Sequence, residues 1–146
     1  MASAQTFFND AQKLRIVNAI KEAELNTSGE IRVHIETVCK GDVLDSAAQV
    51  FAMLKMNQTK LRNGVLIYLA FESRQFAIIG DAGINAVVPD GFWNTTKDLM
   101  ISYFKSGDFA TGLEQGILEA GKQLKQHFAF QHDDVNELPD DISFGK

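Results

Sequence analysis

A chain of 146 residues with 45% hydrophobic and 23% charged side chains can bury one sizeable core and is too apolar for global disorder. Its formal net charge of −5, with no concentrated basic stretch, argues against nucleic acid or an anionic membrane as a general partner. Cys39 is the single cysteine, which excludes an intrachain disulfide and a thiolate metal cluster. At a strand end it reads as a small, half-buried residue. The opening MASAQTFFND has neither the basic region nor the apolar run of a secretion signal. No later stretch approaches the ~20 apolar residues of a membrane span, so a cytoplasmic protein without membrane insertion is expected. The sequons at Asn26, Asn57 and Asn94 are then chance matches.

In chain order, Phe7, Ala11, Leu14, Val17 and Ile20 recur at helical spacing, predicting a first amphipathic helix over about Thr6 to Leu25. Asn26 to Gly29 punctuates the chain. Glu30 to Val38 then alternates Ile31, Val33 and Ile35 with Glu30, Arg32, His34 and Glu36, the pattern of a half-buried strand with His34 on its solvated side. After Lys40-Gly41-Asp42, a second helix capped by Asp45 or Ser46 carries Ala47, Val50, Phe51 and Leu54 and ends near Met56-Asn57.

Val65 to Phe71 is an unbroken apolar run of strand length, predicting a central strand covered on both faces. Glu72-Ser73-Arg74 links it by a hairpin turn to a further strand, Gln75 to Ile79. The crossover from the first strand to Val65 is long enough for its helix, so those two strands are expected to be parallel and right-handed in connection. Pro89-Asp90-Gly91 opens a third helix through about Tyr103, and Ser106-Gly107-Asp108 breaks it. Phe109 to Phe128 forms a fourth, with Leu113, Ile117, Ala120, Leu124 and Phe128 in one stripe; Gly112 and Gly116 permit close packing on the sheet. From Gln131 the chain is acidic and expected to be mobile, although Leu138-Pro139 and Ile142-Ser143-Phe144 give it apolar groups able to dock. The organisation is a domain over 1–130 followed by an acidic C-terminal tail, 131–146.

This topology brings chemistry-bearing residues to one sheet edge. Parallel strands share a starting side, placing Ser28 and Glu30 beside Arg62 and Asn63, and the hairpin returns Asp81 to that side. No phosphate-binding GxxxxGK[ST] loop, GxGxxG, HExxH, GxSxG or EF-hand loop is present. His34, His127 and His132 show no ligand pairing, and Ser28, Cys39 and Thr59 lack an identifiable base. Carboxylates remain. Glu30 and Asp81, with a loop acid such as Asp108 or Asp42, are candidate hard-oxygen ligands for Ca²⁺ or Mg²⁺, and Arg62 and Asn63 can orient a phosphate or carboxylate. The competing structural reading makes Glu30 and Arg62 an exposed ion pair and Asp81 the cap of a short segment, Ala82 to Asn85.

Read together, Ser28-Gly29-Glu30-Ile31-Arg32-Val33, Arg62-Asn63-Gly64-Val65-Leu66-Ile67-Tyr68 and Ile78-Ile79-Gly80-Asp81 resemble the TPM domain family. The likeness continues through the Trp93 segment, Phe104 to Gly107, Phe109, Gly112-Leu113 and Gly116-Ile117, spanning about Phe7 to Phe128. It implies an α/β fold, a three-layer α/β/α sandwich whose small mixed sheet (a βαβ unit plus an antiparallel hairpin) is flanked by about four helices. Similar domains include a thylakoid-lumen protein linked to photosystem II repair and acid phosphatase activity, an animal membrane protein that modulates acetylcholine receptors, and many bacterial proteins of unknown role. The family's motif acids carry over as Glu30 and Asp81, with Arg62 and Asn63 adjacent. Most bacterial relatives carry a signal peptide, a transmembrane helix and often a glycine-rich tail, which this sequence lacks; Asn136-Glu137-Leu138-Pro139 is similar to the tail of short soluble relatives.

Two functions are consistent with these residues. One is a monomeric binding module that assists assembly or maintenance of a protein partner of unknown identity, with an optional Ca²⁺ or Mg²⁺ at the Glu30/Asp81 edge and no organic cofactor. The other is a divalent-metal-assisted phosphatase in which Asp81, Glu30 and Arg62 are the catalytic candidates, Asp108 completes the metal ligands, and Ser28 and Asn63 shape the site.

Overall fold

The computed structural model describes residues 2–129 and 137–145. His132, Asp133 and Asp134 of the expected tail lie outside the described residues.

Helix α1 (Asp10–Glu24) begins at a capping box: Asn9 Oδ1 accepts from the Gln12 N–H, and Gln12 Oε1 accepts from the Asn9 N–H. That start corrects the expected apolar stripe. Phe7 lies ahead of the helix, the buried face is Ile16, Ala19, Ile20 and Ala23, and Leu14 is 60% exposed. Strand β1 (Glu30–Glu36) leads to α2 (Val43–Met53), whose cap is Asp42 rather than Asp45 or Ser46; Asp42 Oδ1 accepts from the Leu44 and Asp45 N–H groups. A single 3-10 turn, Met56–Gln58, precedes β2 (Gly64–Ala70), which is buried along its whole length as its apolar run demands. Strand β3 (Gln75–Gly80), one-turn α3 (Ala82–Asn85), α4 (Asn94–Phe104) and α5 (Phe109–Lys125) follow. Pro89 to Gly91 forms turns ahead of α4 rather than its first turn.

The sheet order is β3-β2-β1-β4, where β4 (Ser143–Phe144) comes from the C-terminal segment. Strands β1 and β2 are parallel, β2 and β3 antiparallel, as predicted. Strand β4 runs parallel to β1, with Ser143 opposite His34. The C-terminal residues 137–145 are therefore part of the fold, and they make β1 an interior strand.

Period-two alternation sorts the core into two clusters. Ile31, Val33, Ile35, Val65, Ile67, Leu69 and Ile78 meet the helical layer of α1, α4 and α5. Leu66, Tyr68, Ala70 and Ala77 meet Ala47, Val50 and Phe51 of α2, together with Met56 and Leu138. The α/β class and the layered arrangement are thus as expected. Gly112 and Gly116 do permit close packing, but on a helix: their Cα atoms face the Phe104 ring and the Met100 side chain of α4, not the sheet.

Candidate functional site

The starting edge of the sheet is built from the backbone outward. Glu30, the first residue of β1, and Asp81, just past β3, both lie beside Gly64: Glu30 is its register partner and the Asp81 N–H donates to Gly64 O at 2.9 Å. Asn63, only 2% exposed, holds the incoming loops, donating from Nδ2 to Ser28 O at 2.9 Å and from its backbone N–H to Thr59 Oγ1 at 3.2 Å. Arg62 adopts a left-handed φ of 52°, and its carbonyl accepts from the Gly83 N–H at 2.9 Å. Gly83 is required there, because a Cβ would run into the Leu61 and Arg62 carbonyl oxygens.

Asp81 is held by a two-pronged bridge. Arg62 Nε donates to Oδ2 at 2.6 Å and Arg62 Nη2 to Oδ1 at 2.7 Å, while Oδ1 also accepts from the Ala82 N–H at 2.7 Å as the cap of α3. Burial acts to raise the Asp81 carboxyl, but the Arg62 bonds, the Ala82 N–H and the arginine charge outweigh it and hold the group below its ordinary value. The carboxylate is buried whereas the Arg62 side chain is 47% exposed, so the arginine presents unused N–H donors at the surface.

Glu30 has a different partner from the one expected. It makes no ion pair with Arg62 among the described residues; instead Oε1 accepts from the Glu137 and Leu138 N–H groups, both at 2.6 Å. Burial pushes its carboxyl up, and these two backbone donors act against that shift. Next to it, Glu24 Oε2 accepts from the Ile31 N–H at 3.1 Å. Burial, then a hydrogen bond to Asp140, push the Glu24 carboxyl up to about 9. Sequence reasoning missed Glu24 and Asp140. The signal available was the apolar Leu138 and Ile142 in an acidic segment, both only 8% exposed once docked.

The remaining candidates are elsewhere. Asp108 caps α5 through the Thr111 N–H, and its neighbour Phe109 shares a cavity with Leu69 and Phe76, at the far end of β2 from Gly64. The structure thus does not bring Asp108 together with Glu30 and Asp81. Asp42 caps α2, again beyond the other end of β1. His34 is not solvated: it is 1% exposed, with Nδ1 bonded to Ser143 Oγ at 2.8 Å, Nε2 to Glu36 Oε1 at 3.1 Å, and its ring stacked on Tyr68, because β4 pairs alongside β1 and brings Ser143 opposite it. Burial lowers its pKa against the opposing pull of Glu36.

A Ca²⁺ ion needs six to eight oxygen ligands at about 2.3–2.6 Å. Both Asp81 oxygens and Glu30 Oε1 already accept from protein donors, the Arg62 guanidinium supplies the positive charge, and no group of three His, Cys, Asp or Glu assembles for an ion among the described residues. As arranged, these three oxygens are held by Arg62 and by three backbone N–H groups. What they do is bind three chain segments into one edge.

An α/β/α layer with an arginine-locked aspartate at the start of its central strands defines a compact mixed-sheet domain. The model of the TPM domain matches residues 2–123, and the chain belongs to that family. Over 99% of its length it is similar to the BA42 protein of the psychrophilic bacterium Bizionia argentinensis, with 50% identity, complete coverage of that chain and a TM-score of 0.92. The N-terminal domain of a Porphyromonas gingivalis protein shares the fold at 22% identity and a TM-score of 0.69, covering 86% of this chain and 82% of its own. So does the N-terminal domain of a Corynebacterium glutamicum protein, at 15% identity and 0.62, covering 88% and 84%. No curated protein matches. No helix among the described residues is long and apolar enough to cross a membrane.

Proposed function

We propose that the chain is a non-enzymatic binding module that assists assembly or maintenance of other proteins, and that its starting edge is a contact surface rather than a reaction centre. One observation supports this reading: both motif acids are tied into the fold, Asp81 by Arg62 and Ala82, and Glu30 Oε1 by the backbone of Glu137 and Leu138. A general base or metal ligand needs lone pairs open to the reacting group. The exposed part of Arg62 is the chemically forward group of the edge, suited to a carboxylate or phosphate on a partner.

The competing reading is a divalent-metal-assisted phosphatase, and one assay separates the two. Purified protein is given a panel of phosphomonoesters with Ca²⁺ or Mg²⁺, beside an Asp81→Asn variant. The binding reading expects no turnover above buffer in either. Robust hydrolysis that chelation and Asp81→Asn both abolish would overturn it. Affinity capture from the native cell, wild type against Arg62→Ala, then identifies partners held through the arginine.

A further inference from the structure

The opposite end of the sheet carries a site that shares no residue with this edge. At the β2–β3 hairpin, a cavity of about 180 Å³ opens to solvent. Leu69 and Phe76, opposite one another on β2 and β3, form its floor. Phe104 and Phe109 form its wall, their rings 5.2 Å apart, with Phe76 meeting Phe104 edge-on at 5.1 Å. Ile101, 36% exposed, stands at the mouth. The two polar lining residues are Arg74 and Lys105. Neither makes an ion pair with any described residue.

Two cations with no ion-pair partner among the described residues line one apolar cavity in a chain of net charge −5, where acids outnumber bases 19 to 14. Arg74 sits in the hairpin turn with a left-handed φ of 53°, and Lys105 caps the C-terminal end of α4. Each therefore reaches the cavity from a different element. A pocket lined by leucine, isoleucine and phenylalanine and of about 150 Å³ holds one benzene-sized group. We infer that this cavity binds an apolar monocarboxylate: one aryl or branched alkyl group of about six carbons enters among the phenylalanines, and the carboxylate lies between Arg74 and Lys105. The chemistry is shared by a free acid and by the last residue of a polypeptide ending in Phe or Leu.

The test is an NMR titration of the full chain with 3-phenylpropanoate, with 3-phenylpropanamide as the uncharged match. The acid should give saturable shifts at Arg74, Phe76, Ile101 and Phe104 to Phe109, and the amide should give none at the same concentration. The double variant Arg74→Gln/Lys105→Gln, which touches no core residue, should weaken the acid by about tenfold, as two partly exposed charge contacts would. A tetrapeptide ending in Phe with a free carboxylate is the second arm. Tighter binding than the free acid assigns the site to chain ends, and weaker binding assigns it to small acids. Equal shifts with acid and amide, or no saturable shift with either at about 1 mM, the ~4 kcal/mol level of binding, would overturn the inference.

Discussion

Glu30 is the residue whose replacement most directly tests how the edge is held. Its Oε1 accepts from two backbone N–H groups at 2.6 Å, and Leu138, one of the two donors, buries its side chain in the core cluster beneath α2. Glu30→Ala removes both acceptor bonds and leaves the Leu138 N–H without its partner. A hydrogen bond to a charged group contributes about 1.5–3 kcal/mol net, and an orphaned buried donor costs about 1–3 kcal/mol. Part of the gross gain is offset by the cost of burying the carboxylate, which shows in its raised pKa. We expect a loss of about 3 kcal/mol in the docking of residues 137–145. Glu30→Gln keeps a carbonyl acceptor and avoids burying a charge, so it should cost about 1 kcal/mol or less. The assay is native-state hydrogen exchange at the Gly145 N–H, which donates to Ile35 O at 2.8 Å beyond β4. Protection there should fall by roughly a hundredfold in Glu30→Ala, since 1.4 kcal/mol is about a factor of ten, and by tenfold or less in Glu30→Gln. Unchanged Gly145 protection in Glu30→Ala would refute the idea that this carboxylate clamps the segment. Equal losses in the two variants would show that the charge, not the acceptor, does so.

Glu24 gives the clamp a pH dependence. Its carboxyl, near 4.5 when unperturbed and pushed up to about 9 here, keeps a proton in the fold that the unfolded chain releases. The folded state therefore binds more protons, and stability should fall as pH rises from about 4.5 to about 9. Urea unfolding across that range should show the slope in wild type and a smaller slope in Glu24→Gln. Gly83→Ala forces a methyl against the Leu61 and Arg62 carbonyls, which the backbone cannot yield cheaply; a loss of about 1–3 kcal/mol is expected, read as a lower melting temperature. Arg62→Ala removes the group that competes for Asp81, so calcium should shift the Ala82 and Gly83 amides more than in wild type; the reverse order would mean that the arginine does not keep cations out. Deletion of residues 137–146 strips β4 from β1, and the bared strand edge should promote self-association measurable by light scattering.

The central architecture was legible because local and tertiary signals agree. Val65 to Phe71 is apolar at every position, and a strand covered on both faces demands that. Glu72 to Arg74 could only turn, and β1 to β2 had room for a helix. Asp81 was legible both as a motif acid and as the cap of Ala82 to Asn85, and the geometry gives it the second role. The misplacements of Glu30 and His34 share one physical cause. Alternation in β1 marks Glu30 and His34 as solvated only if nothing comes back to cover them, yet partners 107 and 109 positions later do so. Nothing in the local pattern of β1 encodes that return. The α1 stripe failed for a smaller reason: Asn9 starts the helix after Phe7, which shifts the buried face to Ile16, Ala19, Ile20 and Ala23.

The two ends of the sheet place different demands on a ligand. At the starting edge Asp81 and Glu30 Oε1 are already bonded, so a partner that takes over these acceptors has to displace Arg62 or residues 137–145. Displacement would strip the donors from Glu30 and expose Leu138 and Ile142, so its free-energy cost would be subtracted from any affinity gained. The edge and the C-terminal segment are thus expected to open as one unit, and occupancy of the edge should read out as exchange in β4. At the hairpin end the cavity is open, its cations have no described ion-pair partner, and filling it displaces no protein group. Binding there should leave Gly145 protection unchanged. A ligand of the hairpin cavity that altered it would show that the central strands, β1 and β2, transmit between the two ends.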